Sequence, residues 1–261
     1  MKKRALRKDF YMEIRKSLGR FLSIFFIVAL GVSFFSGIRA SEPDMRISGD
    51  AYFDEKNLMD IKVISTMGLT KDDLHAIEGI SDVAKAEGGF SQDMLLNIDD
   101  NQKVLHVMSI PKSMNELTVS EGRMPEKEGE CLVDIDFLEG TSYRIGDTIT
   151  LTGEDSGILE VKEFKIVGTG SSPSYISFGR GSSLIGTGTV SGFLTVTDEN
   201  FSPDTYTEIY VKAAGAKEET AFTEGYQKKV DHVIDEIEKI TDARCEARKQ
   251  SLAAEANKEI D

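Results

Sequence analysis

The sequence is poor in the residues that usually build reactive sites. Its 261 residues include two cysteines, Cys131 and Cys245, three histidines, five prolines and no tryptophan. Two cysteines exclude a scaffold held together by several disulfide bonds. The histidines, His75, His106 and His232, are far apart, and none neighbours a cysteine or a carboxylate pair at the spacing of a zinc site. The sequence therefore predicts no metal site.

Sequence motifs of catalysis and of nucleotide binding are also missing. There is no G-x-S-x-G, no H-E-x-x-H and no G-x-x-x-x-G-K-[ST]. The run from Gly179 to Leu184 lacks the third glycine of a dinucleotide loop. An acidic loop does not have the spacing of an EF-hand and gives no support for calcium; it contains Asp198, Glu199, Asn200 and Asp204. We therefore expect neither an enzyme nor a cofactor.

The distribution of charge separates a basic N-terminus from an acidic body. The net charge is −14, yet residues 1–20 hold eight basic and two acidic residues, which leaves 23 basic and 43 acidic residues in the rest. Phosphate backbones are bound by basic surfaces, so this acidic body argues against nucleic acid as a partner.

A long apolar run follows the basic segment. Residues 21–38 contain no charged side chain, and residues 18–40 are long enough to cross the hydrocarbon of a bilayer as a helix. The basic residues precede the run and the acidic body follows it. The positive-inside rule then predicts a single-pass protein of the plasma membrane, with a cytoplasmic N-terminus and a body outside the cytoplasm.

A cleaved signal peptide is the alternative interpretation of this run. Three features count against it: the basic region is about twenty residues long, the apolar run exceeds the usual length of roughly 7–15 residues, and no A-x-A-like site follows. We therefore favour an uncleaved anchor.

The segment before the run, residues 1–17, has the pattern of a basic amphipathic helix continuous with the span. Phe10, Ile14 and Leu18 fall on one face, with Ser17 and Phe21, while the basic residues fall elsewhere. Such a helix is typical of the inner surface of a membrane. Simple snorkelling of basic side chains at a helix end explains the pattern nearly as well.

The pattern of residues 41–215, the body, predicts a mixed α/β domain. Thr70 and Asp73 form a capping-box pattern for a helix over Lys71–Glu78, which lies between two strand candidates in a βαβ-like unit. Residues 168–192 are rich in glycine and serine and predict a flexible loop. The predicted strands cover residues 61–65, 83–87, 93–98, 103–110, 132–133, 148–151, 159–167, 193–196 and 207–212, with a hairpin turn at 99–102.

Residues 216–261 predict a long helix. Val230, Val233, Ile237 and Ile240 have heptad-like spacing, which suggests a coiled-coil arm, although the register continues with little apolar area. The pattern stops at Asp261 without a C-cap, so we expect a truncated chain or a partner helix elsewhere.

Several segments, in order, give a resemblance to a known family. They are residues 19–38 (GRFLSIFFIVALGVSFFSGI), 121–134 (EGRMPEKEGECLVD), 143–151 (YRIGDTITL), 164–177 (FKIVGTGSSPSYIS), then GFLTVTDENF and YTEIYVK. Behind a membrane span, this ordered set resembles the N-terminal part of an ABC transporter permease of the FtsX/MacB type, over about residues 8–213. No single segment is specific, and the order carries the resemblance.

The resemblance implies an α+β fold class, with one N-terminal transmembrane helix, a mixed α/β extracytoplasmic domain like the MacB periplasmic core domain, and a long C-terminal helix. It also implies that the protein is not itself an enzyme. Its partners would be the lipid bilayer, an ABC ATPase subunit on the cytoplasmic side, and a second permease chain in a homo- or heterodimer. The face of Phe10, Ile14 and Leu18 would contact that ATPase or the membrane surface.

The sequence departs from the family pattern because the three further spans and any ATPase motif are absent from it. A membrane-anchored extracellular binding or adhesion module, with no transport role, is the alternative function.

Overall fold

The computed structural model of the chain describes residues 2–98, 101–153, 157–177, 179–202 and 205–260. It divides into two compact units, Met1–Gly49 and Asp50–Asp261.

The first unit is helical. Helix α1 covers Lys2–Lys16 and helix α2 covers Leu18–Glu55. The helical hydrogen bonds continue through the bend at Ser17, whose amide donates to the Glu13 carbonyl at 3.0 Å and whose carbonyl accepts from the Phe21 amide at 3.0 Å. The helix does not stop at residue 40, where we expected the span to end. It continues through Pro43 and into the second unit.

The second unit contains ten strands and three further α-helices among its described residues. The strands are β1 (Ile61–Leu69), β2 (Val83–Gly89), β3 (Ser91–Ile98), β4 (Asn101–Ser109), β5 (Thr118–Gly122), β6 (Glu130–Asp134), β7 (Thr148–Thr150), β8 (Glu163–Ser171), β9 (Val190–Val196) and β10 (Tyr206–Ala213). The helices are α3 (Lys71–Glu78), α4 (Ile135–Glu139) and α5 (Glu224–Ile260).

The smaller sheet confirms the predicted βαβ-like unit and adds a strand to it. Its order is β1-β10-β2, and β10 runs antiparallel to both neighbours, so β1 and β2 are parallel with β10 inserted between them. Helix α3 connects them and begins at the predicted capping box. The Thr70 hydroxyl accepts from the Asp73 amide at 3.2 Å, and the Asp73 carboxylate accepts from the Thr70 amide at 2.7 Å.

The larger sheet closes on itself. Its strands follow the order β3-β4-β9-β6-β8-β5, and β7 also pairs with β8. The residue pair Leu95 and Thr152 exchanges two backbone hydrogen bonds, of 2.8 and 2.7 Å, which joins the chain just beyond β7 to β3. The ring β3-β4-β9-β6-β8-β7 is therefore a barrel, and closure removes most of its unpaired edges.

Strand alternation fills the barrel interior. Each of the six strands, or the residue that follows it, contributes two apolar side chains at positions i and i+2, as expected for one face of a pleated strand. These pairs form the main core: Met94 and Leu96, Leu105 and Val107, Cys131 and Val133, Ile149 and Leu151, Phe164 and Ile166, Leu194 and Val196.

Helix α5 packs on the smaller sheet. Val233 and Ile237 are buried against Ile209 and Val211 of β10, and Ile240 is partly buried there. The heptad-like residues thus form an intramolecular core, and a coiled coil is not confirmed. The helix begins at Glu224 rather than near residue 216, because residues 214–223 form turns.

Other expectations about the body need correction. The segment 168–192 is not one flexible loop, because β8 extends to Ser171 and β9 begins at Val190. Gly168 and Gly170, which fall in the predicted loop, lie within β8. Strand β5 and helix α4 were not predicted. Residues 99 and 100 of the predicted hairpin turn lie outside the described residues.

Candidate functional site

Helix α2 provides the candidate membrane anchor. It contains an 18-residue window with a mean hydropathy of 2.3, and none of that window is buried inside the protein. Large side chains such as Ile27, Leu30 and Phe34 are between 68% and 73% exposed. Exposing this much apolar surface to water is unfavourable, whereas hydrocarbon accommodates it. Within the described residues, α2 is the one helix with the length and composition to cross a membrane.

The basic helix α1 carries the predicted contact residues. Phe10 is 65% exposed and Leu18, at the start of α2, is 47% exposed, so both are available to a partner or to lipid. The side chain of Ile14 lies outside the described residues. Leu6, Tyr11 and Met12 are also exposed, so apolar exposure is not restricted to the predicted face. The contact itself stays a prediction.

The C-terminal end of α2 is bonded to the turns that precede α5. The Asp50 carboxylate accepts a hydrogen bond from the Ala221 amide at 2.6 Å, and Lys217 donates to the Asp54 carbonyl at 3.4 Å. The ring of Phe53 packs edge-on against Phe222 with centroids 6.0 Å apart. Polar and aromatic contacts together join this end of the helix to residues 214–223.

Phe222 has a strained backbone at this attachment. Its φ is 64°, a left-handed conformation that is unfavourable for a bulky side chain, and the residue is 70% exposed. Strain of this kind persists only where neighbouring contacts determine the conformation. Here the contacts of Phe53 and of the Ala221 amide hold Phe222 in its left-handed conformation.

Asp60 organises the adjacent polar contacts. Its carboxylate accepts from Lys212 at 3.1 Å, from the Tyr226 hydroxyl at 2.9 Å and from the Ala213 amide at 2.9 Å. Burial, and then the charge of Asp60, raises the pKa of Tyr226. The hydroxyl of Tyr226 therefore stays protonated and able to donate, which links the first turn of α5 to the strand β10.

The segment after α2 is bonded to residues between β4 and β5. The Asn115 amide donates to the Asn57 carbonyl at 3.0 Å, and the Glu116 amide donates to the Lys56 carbonyl at 2.8 Å. The Met59 amide donates to the Asn115 side chain at 2.9 Å. The residues that follow α2 are thus attached to the connection between β4 and β5, while α2 itself is attached to the turns before α5.

The segment between β8 and β9 is held against the barrel by buried charge. Arg180 donates two hydrogen bonds to Asp134, of 2.6 and 3.0 Å, and a third to Asp136 at 2.5 Å. The side chains of Arg180 and Asp134 are 8% and 1% exposed. A buried charge without its partner is costly, so this pair fixes the segment in one position. Ile176 and Leu184 of the same segment are exposed.

Ser183, Asp93 and His106 form a polar cluster with the residue types of a catalytic triad. Asp93 accepts from the Ser183 hydroxyl at 2.6 Å, and its other oxygen lies 2.7 Å from Nδ1 of His106. Burial acts to raise the pKa of Asp93, but the hydrogen bonds from His106 and Ser183 outweigh it and lower the pKa. A triad needs the imidazole between the serine and the aspartate. Here the aspartate lies in the middle, so the serine is not activated by this arrangement.

The remaining candidate residues stay separate. Cys131 is buried in the barrel, where burial raises the pKa of its thiol, and Cys245 lies on α5. Neither forms a disulfide. His232 lies 3.1 Å from Asp82 at the surface. Across the described ranges there is no group of His, Cys, Asp or Glu residues that could hold a metal ion.

The acidic loop has structural partners. Asp198 pairs with Lys112 at 2.9 Å, and the side chain of Asn200 accepts from the Gly129 amide at 3.0 Å. Asp204 lies outside the described residues.

Sequence reasoning missed the attachment of α2 and the buried pair of Arg180 and Asp134. The first depends on a left-handed Phe222, a residue type that gives no such signal. The second joins residues 46 positions apart, and no local pattern predicts it.

Comparison with known proteins gives structural likeness alone. No protein-family model and no curated protein sequence matches the chain. The chain is similar to the extracellular domain of the noncanonic ABC-type transporter YknZ from Gram-positive bacteria. The identity is 12%, the TM-score is 0.38, and the match covers 64% of this chain and 80% of that one.

Two further solved structures show a similar degree of likeness. The periplasmic region of MacB from Actinobacillus actinomycetemcomitans is 10% identical, with a TM-score of 0.36 and coverage of 67% of this chain and 75% of that one. A domain described as belonging to a permease from Porphyromonas gingivalis is 13% identical, with a TM-score of 0.32 and coverage of 58% and 69%.

Proposed function

We propose that the chain is a permease subunit of an ABC transporter of the FtsX/MacB type, or the N-terminal part of one. In this proposal α2 is a membrane span, α1 lies on the cytoplasmic side, and the barrel and the smaller sheet lie outside the cytoplasm. The ordered segments of the sequence support the family, and the excess of basic residues before the span supports the orientation.

One structural observation carries the proposal. Helix α2 is unburied along its apolar part, and it continues without interruption to an end that is hydrogen-bonded into the folded body. An unburied apolar helix of this length is what a membrane span requires, whereas exposure of the same surface to water is unfavourable.

The proposed permease would have two protein partners. A cytoplasmic ABC ATPase would supply the energy of ATP hydrolysis and would contact the face that includes Phe10, Ile14 and Leu18. A second permease chain would complete the transport unit as a homo- or heterodimer. Transport, or movement of the extracytoplasmic body, would be the outcome of the hydrolysis cycle.

Co-purification with the candidate ATPase tests the proposal. The full chain and the ATPase are co-expressed in membranes, one is captured in detergent, and the other is measured. We expect retention of the ATPase, and at least a tenfold loss of it in the double variant F10D/I14D, because a buried charge at an apolar contact is unfavourable.

The matched control is Met12→Asp, which adds a charge to the opposite face of the same helix. We expect this variant to retain the ATPase. Equal loss in the control, or no retention of the ATPase by a stably inserted wild-type chain, would contradict the proposed contact. The latter result would favour the anchored binding or adhesion module.

A further inference from the structure

A second feature of the body is an apolar pocket beside the smaller sheet, between β1, α3 and α5. Its volume is about 110 Å³. Val63 of β1, Ile77 of α3 and Ile240 of α5 give it apolar walls. An apolar cavity of about 150 Å³ holds a benzene molecule, so this smaller pocket has room for one side chain of the size of valine.

The pocket lies along the edge of strand β1 rather than over one face of the sheet. Successive side chains of a strand point to opposite faces, yet Val63, Ile64 and Ser65 all line the pocket. Among the described residues β1 pairs with β10 and with no other strand, so its outer edge has no strand beside it. Such an edge presents backbone N–H and C=O groups with which a further extended chain can pair.

Two arginines of α5 line the same pocket, one helical turn apart. The Nε atom of Arg244 donates to the Asp73 carboxylate at 2.6 Å, and that of Arg248 donates to the Met67 carbonyl at 3.0 Å. Over the ranges that the structure describes, the Nη atoms of both arginines have no hydrogen-bond partner, and Arg248 has no carboxylate partner. Asp73 balances the charge of Arg244, which leaves the charge of Arg248 for an anion.

We propose that this groove binds the C-terminus of an extended segment of a partner protein. The backbone of the segment pairs with the outer edge of β1, its last side chain is apolar and fills the pocket, and its terminal carboxylate accepts hydrogen bonds from the Nη atoms of Arg248 and Arg244. A fatty acid would leave the edge of β1 unpaired, and an internal peptide segment would lack the terminal carboxylate. The proposal does not depend on the transport role.

Binding of a synthetic peptide to the full chain in detergent micelles tests the proposal. The probe is a fluorescein-labelled hexapeptide, Gly-Ser-Thr-Val-Thr-Val, with a free C-terminal carboxylate, and fluorescence anisotropy measures its binding. We expect saturable binding that weakens about tenfold when the C-terminus is amidated, because the amide carries no charge for the arginine. Equal binding of the acid and the amide, or no saturable binding of the acid up to about 1 mM, would overturn the proposal.

Backbone methylation distinguishes strand pairing from capture of the carboxylate alone. Successive N–H groups of an extended chain point to opposite sides, so only one of two neighbouring amides can face β1. We expect N-methylation of one of the two central residues of the peptide to weaken binding about fivefold or more, and N-methylation of the other to leave it unchanged. Equal affinities of the two methylated peptides would show that the peptide does not pair with the strand, which contradicts the proposal.

Arg248→Gln assigns the carboxylate contact. We expect this variant to bind the acid and the amide peptide equally. The matched control is Lys249→Gln, which removes the same charge from the exposed neighbouring position and should keep the preference for the acid. The ratio of the two affinities is measured on one variant at a time, so a partial loss of folded protein does not change it. A preference for the acid that persists in Arg248→Gln, or that is lost in Lys249→Gln, would refute the contact.

The thiol of Cys245 reports where the peptide binds. Cys245 lines the pocket, whereas Cys131 is buried in the barrel and protected from reagents. We expect a saturating concentration of the acid peptide to slow the modification of Cys245 by iodoacetamide about fivefold or more, because thiol reactivity depends on access. An unchanged rate in the presence of bound peptide would place the peptide elsewhere and overturn the proposal.

Discussion

At the residue scale, Glu130 is a buried carboxylate that Arg123 holds in its charged form. The guanidinium donates to both carboxylate oxygens at 2.7 Å, and the Glu126 amide donates at 3.2 Å. The hydrogen bonds from Arg123 outweigh burial and, with that from the Glu126 amide, lower the pKa of Glu130 from its usual 4.5 to about 2. The folded protein therefore keeps this carboxylate ionised in a range of pH where the unfolded chain binds a proton.

This pKa gives a prediction of pH dependence. Between about pH 4.5 and pH 2 the unfolded state binds more protons at Glu130 than the folded state, so its contribution to stability is present above this range and is lost as the pH falls through it. We expect Glu130→Gln to reduce the slope of the unfolding free energy against pH in this range, as measured by urea titration. The exposed neighbour variant Glu128→Gln should keep the wild-type slope. An unchanged slope in Glu130→Gln would refute the assignment.

Structural features formed by residues close together in the sequence could be predicted from it. The capping box of Thr70 and Asp73 follows from residues three positions apart, and the structure contains both of its hydrogen bonds. The pairing of Arg180 with Asp134 could not be predicted, because it depends on the segment between β8 and β9 folding back over the barrel. Long-range ion pairs carry no signal in the local sequence.

At the scale of elements, the close crossing of β5 and β8 depends on glycine. A Cβ atom at Gly168 would lie 2.3 Å from the Arg123 carbonyl oxygen, which is closer than any real contact. The neighbouring Gly122 has a φ of 75°, which also favours glycine. The two strands approach here because neither residue has a side chain.

Substitution of Gly168 tests this crossing. We expect Gly168→Ala to lower the free energy of unfolding by about 2 kcal/mol or more, since the backbone of β5 must shift. Gly179→Ala is the control, because a Cβ there would contact nothing within 4 Å. Denaturant titration of the full chain measures both. A change of less than about 0.5 kcal/mol in Gly168→Ala would contradict the crossing.

The packing of α5 gives a second prediction at this scale. Ile237 is 8% exposed in the core between α5 and the smaller sheet. We expect Ile237→Ala to lower the free energy of unfolding by about 3 kcal/mol without changing the oligomeric state measured by light scattering. The exposed neighbour variant Glu238→Ala should change neither. Dissociation of an oligomer by Ile237→Ala, with little loss of stability, would restore the coiled-coil interpretation.

Most elements could be predicted because they alternate or have caps. Thr148–Thr150 shows the expected alternation, with Ile149 buried between two exposed threonines. Strand β5 was not predicted. All five of its residues are exposed, so its sequence does not alternate between buried apolar and exposed polar residues. The heptad-like spacing of α5 was correctly recognised as a seam, but spacing alone does not distinguish a partner helix from a sheet of the same chain.

At the scale of the whole molecule, the topology of the barrel could not be predicted from the sequence. Strands β4 and β9 pair in parallel across more than eighty residues, and the barrel is closed by Leu95 and Thr152. Pairings of this range depend on the collective packing of the core and not on any local preference. The long apolar helix near the N-terminus and the mixed α/β character of the body were predictable, because they depend on composition and periodicity.

The proposed orientation places α1 and the body on opposite sides of a membrane. Labelling with a membrane-impermeant maleimide tests it in intact cells. The reporters are Lys8→Cys on α1 and Lys228→Cys on α5, both exposed positions, placed separately in a Cys245→Ser background. The remaining Cys131 is buried, and the raised pKa of its thiol makes it unreactive in the folded protein.

We expect the reporter at position 228 to be labelled in intact cells, and the reporter at position 8 only after the membrane is permeabilised. Labelling of position 8 in intact cells, or labelling of position 228 only after permeabilisation, would contradict the proposed orientation and with it the proposed function.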